Sequence, residues 1–338
     1  MIYVIMPAYN ASATIEKSIK SILSQSYKDL HVVVIDDGSS DDTAAIVNSI
    51  AAFDDRLELI TQENSGPASA RNHALDIISA KGADYIMFCD ADDMFEDDYV
   101  KKLMLDKNDA DIVLGGFTIV NPDGSENYYY EPDSMYSKSS FSLALPNLYK
   151  ANLLNQPWAK LFKADLLKDI RFPDYRWGED RPFVFDSLMN ANKISVSSHC
   201  GYKYIMRPGE SLISGYYQQK PQVCIEIDKK AQELCKHFGV EDDTWFRYMF
   251  TKSVFSCFAT LYADNCDLTD SQKKRYVSLV LNNGYIQSRI TPEGGTAAKA
   301  IYNAMKTRNP EINLALARTA NIASDISPKL FQKIKHRK

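Results

Sequence analysis

The chain has 338 residues, 45% hydrophobic and 25% charged, with 39 Lys and Arg against 44 Asp and Glu for a formal net charge of −5. That balance excludes a general nucleic-acid binder, which needs a basic footprint for the phosphate backbone. No apolar run approaches the length that crosses a bilayer, and the length suits one α/β domain plus a smaller companion.

The N-terminus, MIYVIMPAYN, has no basic n-region and reads as a first strand from Ile2 to Met6 rather than a signal peptide. Ile15, Ile19, Ile22 and Leu23 then share one helix face. Val32 to Ile35 is a second strand, followed by a helix with Ile46, Val47 and Ile50 on one side. Leu57 to Thr61 is a third strand, and Ala70, Ala74, Ile77 and Ile78 mark a third helix. Tyr85 to Cys89 is a fourth, nearly all-apolar strand. This alternation, with continuously apolar strands, predicts a parallel sheet covered on both faces.

Ile112 to Val120 suggests a further strand, and Asn121-Pro122-Asp123-Gly124 a turn. The polar, Tyr-rich stretch from there to about Ser142 reads as loops over one sheet edge. From about Pro221 the pattern is helical: Val223, Ile227, Ala231, Leu234 and Phe238 recur at helical spacing, and Trp245 to Tyr262 and Tyr276 to Leu281 form two more apolar helix patterns. The expected division is 1–215 for the α/β part and 216–338 for a helical C-terminal domain. The six cysteines form no C-x-x-C pair. Cys89 and Cys257 read as small core residues, and a reducing cytoplasmic compartment fits best.

Ligands of an open α/β sheet bind beyond the carboxyl ends of its strands. Polar clusters stand at all four ends here: Pro7-Ala8-Tyr9-Asn10, Asp36-Asp37-Gly38-Ser39, Asn64-Ser65-Gly66-Pro67 with Arg71 beyond, and Asp90-Ala91-Asp92-Asp93. Asp90-x-Asp92 taken alone reads equally as a solvated turn. Directly after a buried strand it suits a ligand role, one carboxylate holding a ribose hydroxyl or metal-bound water and the other a hard cation. Mg²⁺ or Mn²⁺ takes one or two carboxylates plus substrate phosphates, which fits a nucleotide diphosphate. A carboxylate at Asp36 or Asp37 suits the uracil N3–H, since Ser39, Ser40 or Asp41 can cap the following helix. Arg71, early in its helix, reads as facing a phosphate or as a surface charge.

These four segments, in this order, resemble the successive motifs of family 2 glycosyltransferases with the GT-A fold, over roughly the first two-thirds of the chain. The resemblance implies a GT-A type, Rossmann-like, mostly parallel sheet with helices on both faces, plus a C-terminal helical domain. It implies that Pro7, Ala8, Tyr9, Asn10 and Asp37 line the nucleoside site, that Asn64 and Arg71 help hold the base or diphosphate, that Asp90 and Ala91 lie at the ribose, and that Asp92 binds the metal. Trp158-Ala159-Lys160-Leu161-Phe162 resembles a family segment on the acceptor side, represented here by Trp158 and Lys160. Gly178-Glu179-Asp180 resembles the family's ED motif, which gives Asp180 the role of catalytic base and places Glu179 beside it. Phe183, Val184 and Leu188 form the buried face of a helix starting there, whose N-terminus is expected to favour the ionised carboxylate. In Tyr202 to Ser214, which resembles a family loop, Arg207 is expected over the diphosphate. Some relatives carry a metal-binding His in this region. His199 stands too early to match and reads as ordinary.

The implied activity is inverting transfer of a sugar from a nucleotide diphosphate, with UDP expected, to a hydroxyl of a glycan or lipid-linked glycan acceptor in surface polysaccharide, capsule or teichoic-acid-type synthesis. The tail SPKLFQKIKHRK carries five cations and no acid. It reads either as a frayed terminus or as a contact to the inner face of the cell membrane, and a homo-oligomer is left open. Two other classes compete. A nucleotidyltransferase needs a Gly-rich basic loop, absent near the first strand. A non-catalytic sugar-nucleotide or glycan-binding module is disfavoured by intact Asp92 and Asp180.

Overall fold

The computed structural model describes residues 1–207 and 215–326, with side chains to residue 319. The basic tail from Ser327 and the end of the Arg207 loop lie outside the described residues. The chain divides into two compact units, Met1–Gly209 with Leu234–Val240, and Glu210–Glu233 with Glu241–Lys338.

In the first unit, β1 (Ile2–Ala8), α1 (Ile15–Leu23), β2 (Leu30–Asp36), α2 (Thr43–Ala51), β3 (Leu57–Thr61), α3 (Pro67–Ser79) and β4 (Tyr85–Phe88) follow the expected alternation. Val32, Val33, Val34 and Ile35 have no exposed surface, and neither have Val4, Ile5 and Met6, because both sheet faces are covered. β1 pairs in parallel with β2 and β4, and β2 in parallel with β3. The order β3-β2-β1-β4 reverses direction at β1. This switch point leaves a crevice beyond the ends of β1 and β4, where Pro7 to Asn10 and Asp90 to Asp93 stand.

The second half of the sheet departs from the sequence expectation. β5 (Met94–Phe95) and α4 (Tyr99–Asp106) precede β6 (Ile112–Val120). The stretch read as loops contains β7 (Glu126–Tyr129), antiparallel to β6, and β8 (Ser134–Ser137), antiparallel to β10 (Lys193–Ile205). None of the β7 or β8 residues is buried, so no apolar periodicity marked the pairing. After α5 (Leu145–Lys150), β9 (Lys160–Lys163) runs antiparallel between β4 and β6. α6 (Asp180–Asn190) leads into β10, which is parallel to β6 with a register shift between Ser197 and Tyr202. Phe183, Val184 and Leu188 are fully buried, as their spacing predicts.

The second unit is helical: most of α7 (Lys220–Phe238), then α8 (Thr244–Ala259), α9 (Asp270–Leu281), α10 (Gly284–Arg289), α11 (Thr296–Lys306) and α12 (Pro310–Ile326). A capping box between Thr269 and Gln272 starts α9, and the Asn283 side chain caps α10. The last three helices were not legible in the periodicity. Asp228, 1% exposed, is the electrostatic centre of this unit. It accepts from Arg289 Nε at 2.7 Å and Nη2 at 3.0 Å and from the Tyr285 hydroxyl at 2.6 Å, while Arg289 also reaches Asp243 at 2.5 Å. Among the described residues no helix is long and apolar enough to cross a membrane.

Removing Arg289 strands a buried carboxylate, so Arg289→Ala is expected to lower unfolding free energy by about 3 kcal/mol. Urea denaturation checks this, with Lys20→Ala as the control: the Lys20–Glu16 pair is exposed, and its loss is expected to leave the midpoint unchanged.

Candidate active site

The ends of β1 and β2 are fastened to each other. Asp37 N–H donates to the Ala8 carbonyl at 2.8 Å, and Asn10, at φ 48°, accepts from Ser40 N–H at 2.9 Å and donates its own N–H to Ser39 Oγ at 2.9 Å. Asp36 accepts from the Ser39 N–H and hydroxyl. Asp37, 4% exposed, accepts from Gln62 Nε2 at 2.8 Å, Ser65 N–H at 2.9 Å and Gly66 N–H at 2.7 Å. Its carboxylate therefore holds the turn that carries Asn64 and opens α3. Gly38 makes that approach feasible: at φ +74° a Cβ would stand 3.0 Å from the Asn64 backbone nitrogen. Tyr9 and Asn64 remain exposed beside it, and Ala8 is buried.

Arg71 reaches from α3 across to α6. Its Nη2 donates to Asp90 at 2.9 Å, and its Nη1 to Glu179 at 2.9 Å and Asp180 at 3.2 Å. The guanidinium lies 5.3 Å from the Phe172 ring centroid, and Phe172 stacks on Phe183 at 3.8 Å. The Asn72 amide fixes Phe172, accepting its N–H at 2.8 Å and donating to its carbonyl at 2.9 Å. Two successive residues of α3 thus hold the segment before α6. The sequence reading offered Arg71 to the base or diphosphate. In the structure its side chain is 6% exposed and committed to three carboxylates.

Glu179 and Asp180 stand at the N-terminus of α6, with side chains 9% and 29% exposed. Burial pushes the Asp180 carboxyl up to about 7; Arg71 opposes this, while Glu179 and Asp90 add to it. The helix N-terminus was expected to favour the ionised form. Removal from water and two neighbouring carboxylates act against that preference, and Arg71 supports it.

Asp92 is half-exposed, its Oδ2 accepting from Arg207 Nη1 at 2.7 Å and its backbone carbonyl from Nη2 at 2.8 Å. Ala91, buried, accepts through its carbonyl from the hydroxyls of Thr14 at 2.9 Å and Ser18 at 3.0 Å, which anchors the turn to α1. Asp93 is fully buried and accepts from the Tyr202 hydroxyl at 2.6 Å and the Ile205 N–H at 2.9 Å. Burial and the charges of Asp90 and Asp92 push its carboxyl well above the usual range.

Trp158 stacks on Tyr202 at 4.5 Å and on Tyr204 at 5.7 Å, edge-on to Phe117. Ala159 takes φ 55°, the left-handed region that costs an L-residue about 1–2 kcal/mol, and turns the chain so that Lys160 enters β9. Lys160 is 1% exposed and donates to the Gln156 carbonyl at 2.6 Å. Burial pulls its ammonium down to about 7, against the attraction of Asp180. His199 lies on β10 against the Tyr99 ring, with Nδ1 3.4 Å from Lys102 Nζ, consistent with its ordinary reading.

Among the described residues no three His, Cys, Asp or Glu side chains gather to hold a metal ion. The donor set nevertheless fits a cation of one kind. Asp92 presents a half-exposed carboxylate oxygen already paired with a cationic group, which suits a hard ion that takes its remaining ligands from water and a diphosphate. Asn72, Phe172, Asp93 and Tyr202 carry structural roles that the sequence reading did not assign. Asp93, Asn72 and Tyr202 had a signal, as members of segments that resemble family motifs, whereas Phe172 had none.

A doubly wound, mostly parallel sheet with carboxylates and a guanidinium gathered at its switch point has the GT-A-like, Rossmann-type arrangement. The chain belongs to glycosyl transferase family 2, whose profile matches residues 3–171. It is 33% identical to glycosyltransferase GlyA of Streptococcus pneumoniae over 62% of this chain and 31% of that protein. It is 31% identical to the poly(ribitol-phosphate) β-N-acetylglucosaminyltransferase TarS of Staphylococcus aureus over 66% of this chain and 40% of that one. The matches thus span well under half of these two relatives. The solved structure of S. aureus TarS 1-349 in complex with UDP-GlcNAc superposes with a TM-score of 0.65 at 19% identity, covering 95% of this chain and 92% of that chain, a likeness of fold.

A group whose folded pKa is raised loses stability for the fold as pH climbs from its unfolded value toward the folded one. For Asp180 that window runs from about 4 to about 7. Wild-type protein is therefore expected to lose thermal stability relative to Asp180→Asn across it. Melting temperatures of both proteins at stepped pH test this, and parallel curves would contradict it.

Proposed function

We propose that this chain transfers a sugar from a UDP-sugar to a hydroxyl of a glycan or lipid-linked glycan, with inversion at the anomeric carbon. The observation that carries the reading is the Arg71 bridge. It brings Asp90, in the turn that holds Asp92, and Asp180, at the start of α6, onto one guanidinium. Donor-side and base-side carboxylates thereby belong to one site.

In this reading Pro7, Ala8, Tyr9, Asn10, Asp37 and Asn64 receive the nucleoside, with Asp90 and Ala91 at the ribose. Arg207 meets the diphosphate. The Mg²⁺ or Mn²⁺ expected at Asp92 supplies Lewis-acid neutralisation of the departing diphosphate. Asp180 takes the proton of the acceptor hydroxyl as that oxygen attacks the anomeric carbon from the face opposite the leaving group. An ionisation near 7 suits this task, because close to neutral pH about half of the base is ionised and it is basic enough to accept the proton. Arg71 holds Asp180 in line with the donor side, so that the base approaches in one orientation. Trp158, Lys160 and Glu179 border the acceptor side. Segment 1–215 carries the chemistry, and 216–338 is assigned to acceptor, oligomer or membrane contacts at the inner face of the cell membrane. The relatives' printed activities, among them transfer to poly(ribitol phosphate), support a cell-wall polymer as the acceptor class.

Asp180→Asn is expected to lower kcat by about 10²–10⁴-fold while UDP affinity stays within a few-fold, measured with a panel of UDP-sugars and a teichoic-acid-type acceptor. Near-normal transfer by a folded Asp180→Asn protein would refute the base assignment. In wild type, kcat/KM is expected to fall on acidification through pH about 7, because protonated Asp180 cannot accept a proton. EDTA is expected to abolish transfer and Mn²⁺ to restore it.

A further inference from the structure

Arg207 emerges two residues beyond β10 and closes on two oxygens of Asp92, the carboxylate Oδ2 at 2.7 Å and the backbone carbonyl at 2.8 Å. Its position is set from beneath. Buried Asp93 binds the Tyr202 hydroxyl and the Ile205 N–H, so the strand end that delivers Arg207 is tied to the residue next to Asp92. The arrangement is built into the fold, in contrast to a chance meeting of two long side chains. Arg207 is 26% exposed and Asp92 47%, so solvent reaches both side chains.

We infer that Arg207 is an internal counter-ion of Asp92 in the donor-free enzyme and passes to the donor's diphosphate when a divalent cation reaches that carboxylate. Cation and nucleotide then bind with positive coupling. The inference rests on the reading of Asp92 as the metal ligand. The physical reason is charge balance. A cation arriving alone meets a carboxylate already neutralised by a guanidinium, and drawing that carboxylate to itself weakens the anion that Arg207 holds. A nucleotide arriving alone brings its diphosphate toward Asp90 and Asp92 while Arg207 is still held by Asp92. When both arrive, the carboxylate meets the cation and the diphosphate meets the guanidinium, whose fork matches phosphate oxygens. By linkage, whatever the nucleotide adds to cation affinity the cation adds to nucleotide affinity.

The test is Mn²⁺ binding to the full-length protein, read from the EPR signal of free Mn²⁺ with and without UDP, so that no turnover is involved. Arg207→Gln is expected to tighten Mn²⁺ binding to the nucleotide-free protein by about three- to ten-fold, to weaken UDP binding at saturating Mn²⁺, and to shrink the UDP–Mn²⁺ coupling. Arg207→Lys, which keeps the charge but loses the fork, is expected to fall between. Circular dichroism confirms that each variant is folded. Unchanged or weaker Mn²⁺ binding by nucleotide-free Arg207→Gln overturns the counter-ion role. Asp92→Asn separates the two levels of failure. If it abolishes UDP-dependent Mn²⁺ binding while Arg207→Gln changes nothing, only the Arg207 inference falls. If Asp92→Asn binds Mn²⁺ like wild type, the metal reading of Asp92 falls and the inference with it.

Discussion

One guanidinium organises this molecule's chemistry. Arg71 is nearly buried, and its positive charge is tolerable there only because Asp90, Glu179 and Asp180 surround it. Those carboxylates come from β4's end and α6's start, segments about ninety residues apart in the chain. Each would repel the others without the cation between them. The pairing therefore ties the two sides of the crevice together and opposes the upward push that burial exerts on Asp180, and the aromatic cluster of Phe88, Phe172 and Phe183 packs beside it.

The Asp90 turn shows how one short segment serves several ends. Asp90 faces Arg71, the Ala91 carbonyl is tied to α1, Asp92 is offered to solvent and Arg207, and Asp93 is buried against β10. Four consecutive residues point to four partners because the chain has left the strand and is turning. The buried acid is the structural member of the group and the half-exposed one the ligand candidate, a division that burial decides and residue type does not.

Membership in glycosyl transferase family 2 rests on the first half of the chain, where the profile matches. The fold likeness to S. aureus TarS 1-349 extends over nearly the whole chain at low identity. The helices α8 to α12 beyond the matched residues are held by apolar faces and by internal pairs such as Asp228–Arg289.

From the sequence alone, β1 to β4 and α1 to α3 were legible, because continuous β-branched runs and 3.6-residue spacing are local signals. So were the four polar strand ends and the buried face of α6, and a strand was visible at Ile112 to Val120. The edge strands β7 and β8 were hidden in a polar, Tyr-rich stretch, and β9 in a four-residue run too short to show a period. Three contributions came only from tertiary structure: the commitment of Arg71 to carboxylates, the use of Asp37 to hold the Ser65–Gly66 turn, and the upward push on Asp180. Each depends on which distant charges share a volume from which water is excluded, and sequence spacing carries no record of that.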